Sequence, residues 1–218
     1  MIQSDKFDSS NMDIKKLSNT TLNFITKRLI EIFGLIITLL GVLILISLIS
    51  YSPEDPNFIF PENTDIENYL GFRGSFVSDL ILQSIGLIAY LIPFTYIFTG
   101  LNIFRKKEIL IIIENTFLII IYSSFGSLFF ATYYSEVFIL YINGGGGFIG
   151  TFLSTTFIQG FINSYQFFFY YFLILLTIIF FLLSINFNPK AFFQNFKKLL
   201  NIMFKNREKN YTNKNELI

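Results

Sequence analysis

Residues 29–49 read LIEIFGLIITLLGVLILISLI, twenty-one residues with one charge, Glu31, near the start. As a helix rising about 1.5 Å per residue, this stretch is roughly 31 Å long, enough to cross a hydrocarbon core of about 30 Å. A cleaved secretory leader has a shorter apolar region and small residues at its exit. Here the exit is Ser50-Tyr51-Ser52-Pro53, without an Ala-x-Ala pattern. The stretch therefore reads as an uncleaved membrane anchor, preceded by a polar segment, 1–28.

The composition agrees with a lipid solvent. Hydrophobic residues make up 53% of the 218 residues and charged residues only 14%, well below the roughly 25% usual in soluble domains. The thirty Phe residues, together with many Ile, Asn and Lys, fit an AT-rich genome better than an aromatic binding box. There is no Cys and no His, which rules out disulfides, thiol nucleophiles, haem–His ligation and Ser-His triads. The reading holds no catalytic, cofactor-binding or metal-ligating residue and expects no cofactor.

Three further apolar stretches follow, at about 76–104, 109–134 and 165–187. Pro53, Pro56 and Pro61 break helices in the acidic loop 51–74, and Pro93 predicts a kink well inside the second span. In the loop 135–164, Asn143 and a run of four glycines precede residues 148–161. Fourteen residues are too few to span, which predicts a short re-entrant or interfacial helix. The segment 188–218 is a polar, basic tail, expected to be helical near 190–204. The fold class is thus all-α: a polytopic membrane protein with four transmembrane helices in 29–187.

Fifteen of the sixteen Lys and Arg residues lie in 1–28, in Arg105-Lys106-Lys107 or in the tail, and Arg73 alone lies in the opposite loops. By the bias of basic residues toward the cytoplasmic side, both termini are expected in the cytoplasm.

Charges within spans are candidates for function by default. Glu31 is within a turn of Lys27 and Arg28, and Glu114 follows the Arg105–Lys107 cluster, which puts both near the inner interface. Asp79 falls at the outer end of the second span, so it cannot pair with Glu114. The glycine run lacks the Lys of a phosphate-binding loop. Its Gly146 and Gly150 have the small-xxx-small spacing of closely packed helices. The basic tail suits lipid contact, and a nucleic-acid contact by this chain is not expected.

The string Ser50-Tyr51-Ser52-Pro53-Glu54-Asp55-Pro56-Asn57-Phe58 resembles the exit motif of the membrane region of FtsK/SpoIIIE-type DNA translocases. The likeness continues through Asn68-Tyr69-Leu70-Gly71-Phe72-Arg73-Gly74-Ser75, Asp79-Leu80, Ile85-Gly86, Ala89-Tyr90 and Pro93, and returns at Gly146 to Gly150. It covers roughly residues 25–187. Ser75 and Ser78 stand where the family usually has Ala. The family continues into a cytoplasmic ATPase motor and a DNA-reading domain. This chain carries no Walker motif, so it is expected to be the membrane part of a larger protein, a separate gene product or a truncated reading frame.

The resemblance implies a membrane anchor acting in cell division and chromosome segregation. It implies septal localisation in the bacterial inner membrane, contacts with other division-site membrane proteins, self-association, and a separate or downstream ATPase motor. A small transport or channel subunit using Asp79, Glu114 and the glycine loop is the alternative. No internal repeat supports it.

Overall fold

A computed structural model describes residues 2–56, 65–136, 143–156, 158–190, 194 and 197–202, with the side chains of 2–20, 158, 159 and 163 left aside. The chain divides into two compact units, Met1–Ile185 and Asn186–Ile218. In the second, residues 189–190, 194 and 197–202 are helical.

The first unit is all-helical among its described residues. Helix α1 (Ile2–Ile49) is followed by α2 (Gly71–Ile85), a 3-10 segment (Gly86–Leu91) and α3 (Ile92–Lys106). Then come α4 (Ile111–Tyr133), α5 (Gly147–Ser154), α6 (Ile158–Ser164) and α7 (Gln166–Ser184). Four stretches are long and apolar enough to cross a membrane: Thr21–Ile49, Gly71–Lys106, Ile111–Tyr133 and Gln166–Ser184. In place of one 148–161 helix there are two short ones, α5 and α6.

Helix α1 packs along α3 and, near its end, α2; α4 packs on α7 and carries α5. Small residues set the α1–α3 approach. A Cβ on Gly34 would lie 2.8 Å from the Gly100 carbonyl oxygen and 2.8 Å from the Phe104 nitrogen. Gly100 in turn faces Thr38, one turn beyond Gly34. Lipid tails are as apolar as leucine, so a pair of spans gains little from burying apolar surface and depends instead on close fit.

The bend in the second span is not where proline placed it. The α-helix stops at Ile85, and Gly86 turns with φ 71° and ψ −149°, a region essentially restricted to glycine. Pro93 sits in the first turn of α3, where its missing N–H costs no intrahelical hydrogen bond. The α-helical ladder expected to be disturbed at Pro93 is interrupted by the 3-10 segment Gly86–Leu91 and resumes with Pro93 in its first turn. The span also begins at Gly71 rather than 76, because its start follows backbone hydrogen bonding, not hydropathy.

The core between α1, α2, the 3-10 segment and α4 is built on Leu48, Leu82, Ile88, Ala89 and Tyr122. Within the spans, Tyr122 Oη and Ser184 Oγ lie 3.1 and 2.9 Å from Thr95 Oγ1, joining α3, α4 and α7. Asn115 Nδ2 donates to Thr99 Oγ1 at 2.7 Å. These polar groups are buried, and each partner removes a desolvation cost that an apolar interior would impose. Where the end of α3 meets the middle of α1, Glu31 bridges Arg28 (2.6 Å) and Lys107 (2.9 Å). Lys107, in a left-handed conformation, ends α3 there.

Candidate functional site

The proline-bearing string after α1 does not hang free. Asp55 is buried and its two carboxylate oxygens accept the backbone N–H groups of Glu67 (2.8 Å) and Asn68 (3.0 Å). Asn68 then donates through Nδ2 to the carbonyls of Ser47 (2.9 Å) and Ser50 (3.2 Å), two of the last acceptors of α1. Carbonyls in the last turn of a helix have no intrahelical donor; here the asparagine supplies one. Ser50 Oγ donates to the Ile46 carbonyl and accepts from the Tyr69 N–H. Asn68 Oδ1 accepts the Leu70 N–H, and the Asn68 carbonyl accepts the Gly71 N–H at the start of α2.

The start of α2 closes the knot. Ser47 Oγ donates to the Gly74 carbonyl at 2.6 Å, and Ser75 Oγ to the Pro56 carbonyl at 3.0 Å. Ser78 Oγ, also buried, reaches the Gly74 carbonyl at 2.9 Å. Gly74 has no room for a side chain, since a Cβ would strike Asn68 Oδ1. Tyr51 Oη donates to Asp79 Oδ1 at 3.2 Å, and Gln83 Nε2 approaches the same oxygen at 3.4 Å. Ser52 accepts the Asp55 N–H within the turn that holds Pro53. Thus Ser50, Tyr51, Ser52, Pro53, Asp55, Pro56, Gly71, Gly74 and Asp79 form one polar cap between α1 and α2.

A second cluster gathers Gly86, Gly146 and Gly150. The Leu87 N–H donates to the Gly145 carbonyl at 2.9 Å, so the glycine loop accepts from the broken turn of the second span. Ser127 Oγ donates to the Ile85 carbonyl, at the junction of α2 and the 3-10 segment, at 2.7 Å. A Cβ on Gly86 would strike the Gly145 carbonyl, and one on Gly146 would lie 2.5 Å from the Ser127 carbonyl oxygen. Gly150 lies against Ser127 and Ala131. The glycines let three backbones meet, and Asn143 adds a bond to the Gln83 carbonyl.

Pro93 belongs to neither cluster; its carbonyl lies opposite Gly41 of α1. Glu31 meets Arg28 and Lys107 rather than Lys27, and Glu114 is exposed in the first turn of α4, at the end of the bundle away from Asp79. Nothing in the sequence singled out Ser47, Gln83 and Ser127, which with Asn143 complete the two clusters. Gly34, Gly41 and Gly100, which seat α1 on α3, also stand outside the candidate residues, and the Gly34-x-x-x-Thr38 spacing was the available signal for them. Ser75 and Ser78 put their hydroxyls to use inside the cap. Among the described residues no three Asp or Glu side chains converge as a metal site would need.

The cap and the glycine clamp consist, among the described residues, of the Asp55 and Asp79 carboxylates, backbone carbonyls and amides, and the hydroxyl and amide side chains bonded to them. Such a site fixes geometry. Residues 26–197 match the family model for the 4TM region of DNA translocase FtsK/SpoIIIE. The chain belongs to this family. It is 31% identical to DNA translocase FtsK of Rickettsia typhi over 136 residues, 61% of this chain and 17% of that protein. To DNA translocase FtsK of Shewanella oneidensis it is 33% identical over 89 residues, 40% of this chain and 10% of that protein. The FtsK of Rickettsia bellii is 30% identical over 77 residues, 35% of this chain and 10% of that protein. The chain spans between a tenth and a sixth of the length of the curated relatives it matches. No solved structure matches it. The matched part of the FtsK/SpoIIIE family is its membrane region, and the polar cap and glycine clamp lie wholly inside it.

Proposed function

We propose that this chain is the membrane-anchor module of an FtsK-like DNA translocase system, working in cell division and chromosome segregation. Its role is to hold position at the septum through protein contacts, with motor activity supplied by an ATPase that is downstream or separate. The observation that supports this best is the cap itself: the motif residues around Asp55 and Asn68 tie the end of α1 to residues 67–71 at the start of α2. A segment bonded in this way presents the same surface to every partner. Self-association through the spans and contacts with other division-site membrane proteins belong to the same reading.

In the proposed topology both termini are cytoplasmic and the cap faces outward, from the distribution of Lys and Arg along the chain. A fluorescent fusion on the amino terminus, followed in dividing cells, tests the role. A band at midcell is expected. Uniform membrane signal throughout the division cycle would reject the septal anchor. In a parallel culture, Asp55→Ala is expected to lower midcell enrichment without removing the protein from the membrane.

A further inference from the structure

A groove of about 200 Å³ lies between α1 and α2, walled by Leu40, Leu43, Ile44 and Val77, with Ser47, Leu70, Arg73 and Gly74 completing its lining. That volume is below the roughly 300 Å³ at the small end of whole-ligand pockets, so it holds part of a molecule whose remainder lies outside. Its wall is almost wholly apolar, and Leu40 and Leu43 are 47% and 38% exposed. Leu40 lies nine residues before the end of α1, about 14 Å along the helix, or half the thickness of a hydrocarbon core. On α1 the groove lining runs from Leu40 to Ser47, about 10 Å along the helix, so the groove lies within one leaflet.

Arg73 carries the only Lys or Arg charge on its side of the spans. It is exposed, and among the described residues it makes no ion pair or hydrogen bond through its side chain. It also stands in the first turn of α2, a turn without an acidic residue. A helix start bears partial positive charge, so a cation there is unfavourable unless an anion is near. A guanidinium offers paired donors that match a phosphate.

We propose that this groove binds one phospholipid, with its phosphate on Arg73 and one acyl chain along Leu40, Leu43, Ile44 and Val77. The lipid sits in the leaflet that the α1–α2 loop faces. The site depends on α1 and α2 spanning the membrane and is independent of the septal role.

The chain has no Trp, so a single introduced one reports its own lipid contacts. Leu40→Trp places a reporter in the groove. Leu175→Trp, on exposed α7 surface nine residues from its start, reports ordinary surrounding lipid at a similar depth. The full chain would be reconstituted in a phosphate-free diglycosyl diacylglycerol with increasing brominated phosphatidylglycerol, which quenches Trp on contact. The groove reporter is expected to show a preference of at least threefold for the brominated phospholipid, and the α7 reporter none. Combined with Leu40→Trp, Arg73→Ala should abolish that preference, and Arg73→Lys should keep part of it. Equal behaviour of the two reporters overturns the site. So does a preference that survives Arg73→Ala, or a groove reporter that no brominated lipid quenches, which would mean that protein fills the groove. Leu43→Trp repeats the measurement if Leu40→Trp fails to fold.

Discussion

Asp55 accepts two backbone N–H groups from residues 12 and 13 positions away, and no neighbouring side chain can replace both acceptors. Asp55→Ala would leave these amides unbonded in a mostly buried place. The expected loss is on the order of 3 kcal/mol, from unsatisfied donors and charge-assisted bonds given up. Thermal unfolding in detergent should show a clear fall in midpoint, with a much smaller one for Asp65→Ala, whose side chain is exposed. Gly86→Ala combines a strained backbone with a collision at the Gly145 carbonyl. Gly71 also has a positive φ, so both substitutions carry a backbone cost of about 1–3 kcal/mol, and Gly86→Ala is expected to destabilise more because a Cβ at Gly71 meets nothing within 4 Å.

Tyr122 separates ring packing from hydrogen bonding. Its ring meets Phe181 edge to face at 5.7 Å, while its hydroxyl meets Thr95. Hydrogen bonds between spans are worth about 0.6 kcal/mol on average, and removing a buried aromatic ring costs about 3–5 kcal/mol. Tyr122→Phe should therefore unfold within a few degrees of the parent, because Thr95 keeps Ser184. Tyr122→Ala should lose most of the bundle's stability. Equal effects of the two substitutions would show that the hydroxyl, not the ring, holds α4 to its neighbours.

At the scale of elements, the second span is two helices joined by a 3-10 segment, and at that junction the Gly145 carbonyl accepts the Leu87 N–H and Ser127 donates to the Ile85 carbonyl. The bend then depends on Gly86 and not on Pro93. Spin labels at Leu80→Cys and Phe104→Cys, both exposed positions in a chain without native Cys, measure it as a distance. Pro93→Ala should leave the distance distribution in place, whereas Gly86→Ala should shift or broaden it. The α1–α3 pair has its own test. Gly34→Val puts a branched side chain against the Gly100 carbonyl and the Phe104 nitrogen and is expected to separate the two helices. Labels at Leu39 and Phe98, also exposed, would report a longer distance.

For the whole molecule, the proposed topology puts the cap and the Arg105–Glu108 turn on opposite sides. Tyr69→Cys and Glu108→Cys, each a lone thiol at an exposed position, should be labelled by an impermeant maleimide from opposite faces of the membrane. Labelling of both from the same side would refute the four-span orientation. The two clusters hold the same end of the bundle: the cap ties α1 to α2, and the glycine clamp ties α2 and the 3-10 segment to α4 and α5. Movement of the α1–α2 connection would therefore have to move the glycine loop or break its bond to Leu87.

Read alone, the sequence determined the all-α class and the four spans, because a lipid solvent demands long apolar helices and leaves that demand visible in composition. The four consecutive glycines stood out by composition, whereas the Ser50–Pro56 string was marked by its resemblance to the FtsK/SpoIIIE membrane region and not by a physical rule. Only the tertiary structure decided which faces meet. Apolar faces are interchangeable in lipid, so the pairing of α1 with α3 rests on Gly34, Thr38 and Gly100, scattered over two helices. The bend likewise passed from Pro93 to Gly86 because a proline breaks a helix only where an N–H was needed. Asp55 on Glu67 and Asn68, Ser127 on Ile85 and Gly145 on Leu87 are contacts between distant segments. Their hydrogen-bond partners exist only once the chain has folded, and no local pattern announces them.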